Sequence, residues 1–134
     1  MSVIPYNIIY NPPVQGGGND TCLIIWGPAS AFPSVPPLTF TTLDSGNPAQ
    51  LPSWADCSFQ VVGTFGGGGT VPIEGSNDGV NFGTLNDPFG VALNFTNAAP
   101  RQATERCQFV RPRVTAGDGT TSLTVLGLFR RQPI

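Results

Sequence analysis

Glycine and proline break this chain at such short intervals that its apolar residues fall into runs of strand length. No segment keeps a 3.6-residue apolar period through three helical turns. The 17 glycines and 14 prolines are nearly a quarter of the 134 residues. In an apolar-poor chain that share means disorder. Here 40% of residues are apolar and β-branched runs are frequent, which predicts an all-β domain with many tight turns. The length is that of one domain, which buries roughly two-thirds of its unfolded surface and needs neither metal nor disulfide to make a core.

The runs can be placed in order. Cys22–Trp26 (CLIIW) reads as a fully buried strand, followed by the proline-rich GPASAFPSVPP. In Leu38–Leu43, Leu38, Phe40 and Thr42 share a face, so this segment is expected as a strand, with 44–56 a loop. Ser58–Phe65, a strand with Val71 and Ile73 on one face, Val80–Leu85, Val91–Phe95, Phe109–Thr115 and Ser122–Phe129 complete about eight strands. Their turn spacing is that of sandwiches and barrels. Ala98–Arg106 is at most a short helix. The last two strands flank AGDGTT, where Asp118-Gly119 predicts a tight hairpin. Pro112 cannot donate to a ladder and opens the first of them.

Residues 1–20 read as an extended N-terminal arm and glycine hinge, with the β-sandwich domain over 21–134. Val3, Ile4, Tyr6, Ile8, Ile9 and Tyr10 are apolar, Pro5, Pro12 and Pro13 forbid helix, and Gly16-Gly17-Gly18 makes a flexible joint. An apolar arm of this kind either covers its own sheet or pairs with a neighbour's. The expectation is that Val3–Val14 packs on another subunit in a homo-oligomer, a homotrimer ahead of a dimer, with both open.

Chemistry has few footholds. The run Gly66–Gly69 leads into Thr70-Val71-Pro72-Ile73, a strand, whereas a phosphate loop needs a lysine and opens a helix. It reads as a bare strand-to-strand turn. All six cations are arginine, with no lysine and no histidine, against eight acids, a net charge of −2 and a pI near 4.7. That charge lacks the dense basic field of nucleic-acid or anionic-membrane binders. Without histidine there is no Ser/Cys–His nucleophile and no His-based metal site. Asp20, Asp44, Asp78, Asp87 and Asp118 stand singly in turns, where Asp shapes backbone. Glu74 and Glu105 are the only glutamates. The expectation is no enzyme, no cofactor and no metal.

Cys22, Cys57 and Cys107 are widely spaced and odd in number, and the start carries no secretory leader. With no bilayer-length apolar run, the reading is a soluble protein with free thiols, made in a reducing cytoplasm. Trp26 reads as core, while Trp54 is a candidate for stacking on a sugar. Arg111 and Arg113 project together from one strand, opposite Val110 and Val114 and beside Phe109. They are expected on an outer face, where they can meet acidic groups of a partner.

Two resemblances follow from motifs. GSNDGVNF (Gly75–Phe82) resembles the S-N-D-G-x-x-W/F hairpin of discoidin-like carbohydrate-binding jelly rolls, and more loosely the Asp-box turn of sialidases, where the turn is structural. From Phe59 to Arg130 the chain resembles small virion proteins of tailed bacteriophages, of the capsid decoration or cement type. The matching elements are V-x-G-T-F…V-x-I-E-G-S-N-D-G, the L-N-D-P-x-G turn and V-R-P-R-V-T-A-G-D-G-T-T-S-L-T-V. That resemblance implies a jelly-roll-like β-sandwich on the capsid surface of a virion assembled in the host bacterial cytoplasm. Its partners would be the major capsid protein and copies of itself, and the interface would comprise the arm together with Arg111 and Arg113. The alternative is a carbohydrate-binding module or accessory domain of a phage tail fibre or baseplate.

Overall fold

The computed structural model describes residues 3–10, 21–50 and 56–130. These residues form strands and no helix, as the punctuated sequence requires. The strands are β1 (Val3–Ile4), β2 (Tyr6–Tyr10), β3 (Thr21–Trp26), β4 (Ser45–Gly46), β5 (Ala49–Gln50) and β6 (Asp56–Thr64). They continue with β7 (Val71–Ser76), β8 (Gly83–Thr84), β9 (Asn94–Phe95), β10 (Arg101–Ala103), β11 (Phe109–Pro112) and β12 (Ser122–Arg130).

Two sheets pack face to face. The first is antiparallel in the order β10-β6-β12-β3-β2. Its central strand β12 pairs with β6 over nine residues and with β3 over six. The second runs β5-β11-β7-β8, with β9 also paired to β7. Alternation sets the core. Cys22, Ile24 and Trp26, then Phe59 and Val61, then Leu123, Val125 and Phe129 face inward from the first sheet, and Val71, Ile73, Val110 and Phe95 from the second. Phe59 and Phe129 meet edge to face, with ring centroids 5.6 Å apart. Gly127 makes room for them, because a Cβ there would stand 2.9 Å from both rings.

The glycine run is a sandwich corner. β6 leaves the first sheet at Thr64 and β7 enters the second at Val71. Beside this crossover runs a second one, from β11 back to β12. The two are stitched by Thr70 N–H donating to Ala116 O at 3.0 Å and Thr115 N–H donating to Thr70 O at 3.0 Å. Gly67 N–H donates to Asp118 Oδ2 at 2.7 Å, and the Thr121 hydroxyl donates to Phe65 O at 2.7 Å. Gly66 sits at φ +73 directly under Asp118, a position closed to a side chain on both counts. The expected closing hairpin is therefore absent: β11 and β12 lie in different sheets, and Asp118 clips the corner rather than reversing the chain.

Other expectations give way for local reasons. Leu38–Leu43 is not a strand. Leu38 makes a single bridge to Leu123, and the hydroxyls of Thr39 and Thr42 turn to the buried Asp44 carboxylate at 2.9 and 2.5 Å. The segment expected as a loop carries β4 and β5, and Ala98–Arg106 contributes β10 on the edge of β6 instead of a helix. Val3–Tyr10, expected as an arm on another subunit, lies on its own chain. β1 pairs in parallel with β4, β2 pairs with β3, and Ile4 is buried in the core. Pro5 stands between the two strands, so the segment ties the small β1–β4 pair to the edge of the first sheet. The remaining arm residues to Val14, the glycine hinge and Trp54 lie outside the described residues.

Phe129→Ala should lower unfolding free energy by about 3–5 kcal/mol, since it removes one ring of the buried pair from a close-packed core. Urea unfolding followed by fluorescence measures this, and a loss below about 1 kcal/mol would contradict the packing described here.

Candidate functional site

Among the described residues, the outer face of the second sheet carries a dense charge cluster built from strands. Glu74 on β7 lies directly opposite Arg111 on β11, a consequence of their register. Its side chain is buried, only 6% exposed, and each oxygen is taken by a guanidinium. Arg111 Nε donates to Oε1 at 3.0 Å, while Arg113 donates to Oε2 from Nε at 3.1 Å and lies within 2.9 Å through a terminal nitrogen. The Arg111 guanidinium also stacks on the Phe82 ring, 3.9 Å from its centroid. The inference that Arg111 and Arg113 share a face opposite Val110 and Val114 agrees with the burial pattern. The acid they meet belongs to their own chain. Sequence reasoning passed over Glu74 because nothing local links it to residues 37 and 39 positions later.

A second feature is a set of turns locked by carboxylates. In Ser76–Asn81, Asp78 accepts the backbone N–H of Val80 and of Asn81, each at 2.8 Å, together with the Ser76 hydroxyl and the Asn81 amide. In Asn86–Ala92, Asp87 accepts from Phe89 N–H at 2.9 Å, Val91 N–H at 3.0 Å and the Arg101 guanidinium at 3.0 Å. Glu105 braces the same turn, taking the backbone N–H and the side-chain amide of Asn86 at 2.7 and 2.8 Å. These bonds favour the ionised form, and each carboxyl is held below the usual carboxylate range. For Asp78 the Asn81 N–H matters most, for Asp87 the Val91 N–H, for Glu105 the Asn86 N–H, and for Asp118 the Thr120 hydroxyl.

What these turns hold outward is apolar. Val80 is 79% exposed, Phe89 91% and Val91 56%. The polar groups of these turns are meanwhile engaged within the chain, and the S-N-D-G hairpin offers its carboxylate to its own backbone.

The remaining candidates resolve simply. Trp26 is fully buried and donates its indole N–H to Asn47 O at 2.8 Å, so it has no face for a sugar. Cys22, Cys57 and Cys107 form no disulfide with one another. Cys57 and Cys107 line a crevice of about 20 Å³ with Val110 and Phe129. Burial pushes the Cys57 thiol up to about 12 and raises Cys107 as well, away from the thiolate a nucleophile needs. Among the described residues no three His, Cys, Asp or Glu side chains gather as metal ligands. Comparison with protein-family models, curated proteins and solved structures returns no match.

Glu74→Gln should cost about 1–3 kcal/mol, because it leaves two guanidinium groups with half of their charge-assisted bonds. An unchanged urea midpoint would show the cluster to be idle. The turn aspartates give a separate pH signature. Their folded pKa values lie below the unfolded value, so their contribution is complete above the unfolded value and is lost as pH falls through the folded ones. Stability should hold from about pH 7 to pH 5 and fall below about pH 4. Asp78→Asn should flatten part of that fall, and a variant as acid-sensitive as the parent would remove Asp78 from the account.

Proposed function

We propose that this chain is a structural protein of a bacteriophage virion, a capsid decoration protein that lies across joints between major capsid subunits. The observation that carries the reading is the rigid presentation of Val80, Phe89 and Val91. Each stands on a turn whose backbone is fixed by Asp78 or Asp87, and both aspartates lie within the motifs that resemble phage cement proteins. Apolar side chains held out on ordered turns lose little conformational freedom when a partner covers them. Repetition over a lattice then adds avidity without one strong site.

Added contact area, rather than charge, holds the protein to the shell in this reading. Among the described residues, Arg101, Arg111, Arg113 and Arg130 are paired with Asp87, Glu74, Glu74 and Asp56, and Arg106 is exposed without an ion pair. Double replacement of Arg111 and Arg113 by alanine would strand the buried Glu74, so it probes folding before it probes attachment.

Cryo-EM of purified virions, with immunogold labelling, tests the assignment. Copies on the head surface at lattice-related sites are expected, with occupancy of undecorated capsids changing little across a salt series. Density confined to the tail, together with tight binding on a glycan array, would replace this reading by a carbohydrate-binding accessory domain.

A further inference from the structure

Two thiols project into the same space between the sheets. Cys57 stands on β6 in the inward row with Phe59 and Val61, opposite Ala103 on β10 and Phe129 on β12. Cys107 enters that space from the other side. It lies on the connection that leaves β10 in the first sheet and reaches β11 in the second. Gly75 shares the inward face of β7 with Ile73, and a Cβ there would stand 2.8 Å from the Cys107 sulfur. The missing side chain of Gly75 is the berth of Cys107, which packs against the core cluster that holds Cys57.

Both thiols line one crevice of about 20 Å³ with Val110 and Phe129, and its charged neighbours are Asp56, Glu105 and Arg106. Burial first, then Asp56 and then Cys107 raise the Cys57 thiol, so the two sulfurs lie within electrostatic reach of each other. Cys22 has no such access to Cys57. Phe129 on β12 pairs with Cys22 on one side and with Cys57 on the other. Two strand spacings put those cysteines about 9–10 Å apart, beyond the roughly 7 Å that a disulfide spans.

We propose that Cys57 and Cys107 are a modification site, the two halves of an inter-sheet disulfide that closes when the protein meets a small disulfide in an oxidising medium. Cys107 is the more accessible, and its thiolate attacks one sulfur of the small disulfide and releases one small thiol. The Cys57 thiolate then attacks the Cys107 sulfur of the mixed disulfide, forms the bridge and expels the second small thiol. The departing thiolates take up the two protons, so the protein loses two hydrogens and two electrons and the small disulfide gains them. Burial keeps the Cys57 thiolate scarce at neutral pH, so closure is slow. The bridge fastens β6 to the start of β11 and closes a loop of about 50 residues in the unfolded chain. It holds whether or not the protein decorates a capsid.

Incubation of the native full chain with oxidised glutathione in mildly alkaline buffer tests it. Alkylation in denaturant followed by intact mass should show a chain short of two hydrogens, with one thiol left to label. Peptide mapping should join residue 57 to residue 107 and find the label on Cys22, which fixes the connectivity without any variant. The oxidised form should melt roughly 5–15 °C above the reduced one. Cys107→Ala should keep its remaining thiols and its midpoint through the same treatment, whereas Cys22→Ala should still close the bridge. Three labelled thiols after days of exposure would overturn the proposal. So would a glutathione adduct that persists on Cys107, a bridge through Cys22, bridges formed only between chains, or a midpoint that fails to rise.

Discussion

Strand β12 cannot be satisfied by its neighbours in sequence, and the architecture follows from that. Its inner face, Leu123, Val125 and Phe129, belongs in the core, and both of its edges need partners. It obtains them from β6 and β3, which lie roughly 60 and 100 residues upstream. Once β12 is seated between them, β11 has to reach the opposite sheet within the few residues 113–121. β6 has to make the reverse crossing to β7 at the same end. The two crossings run beside one another and share backbone bonds between Thr70 and residues 115–116. Four consecutive glycines are the local answer to this geometry. The corner brings Phe65 O, Asp118 and Thr121 within hydrogen-bonding distance, and a Cβ at Gly69 would collide with the Phe65 carbonyl.

The same economy governs the charges. Only a tenth of the residues are charged, and the acidic ones are used for holding backbone in place. Asp44 ties a loop to its own Thr39 N–H, Asp78 and Asp87 close turns, Asp118 fastens the corner, and Glu74 joins two strands through their arginines. A carboxylate that accepts two or three backbone N–H groups removes the conformational freedom a turn would otherwise keep. The turns are therefore stiff although they are rich in glycine.

How much of this was legible in the sequence depends on the range of the interaction. Cys22–Trp26, Ser58–Thr64, Val71–Ser76 and Ser122–Phe129 stand as strands because their apolar residues are local and sufficient. The AGDGTT segment carries hairpin chemistry, yet turn residues encode a change of direction and not the sheet in which the next strand finds a partner. Thr70 and Ala116 decide that from 46 positions apart. Leu38–Leu43 alternates like a strand, but two threonine hydroxyls find Asp44 first. At the candidate site, the shared face of Arg111 and Arg113 was readable from alternation. Their common partner was not, because register between β7 and β11 is set by the whole sheet. The exposed Phe89 went unremarked, since L-N-D-P-F-G reads as a turn whether its aromatic points in or out.

That aromatic is held in an uncommon way. A lone exposed apolar residue is common and needs no account. Phe89 differs in its support. The backbone on either side of it is held through Asp87, Asp87 is held by Arg101, and Asn86 before it is held by Glu105. Two stretches of chain, 86–91 and 101–105, thus combine to fix a turn whose ring touches solvent. Folding alone gives no reason for that convergence, since a relaxed turn would let Phe89 lie back on the surface and shed some of its exposed area. The locked turn prevents this collapse, so the exposed area persists until another surface covers it. Binding then gains the full apolar contact while ordering almost nothing new. The stiffness of the turns and the exposure of their tips are for this reason one property.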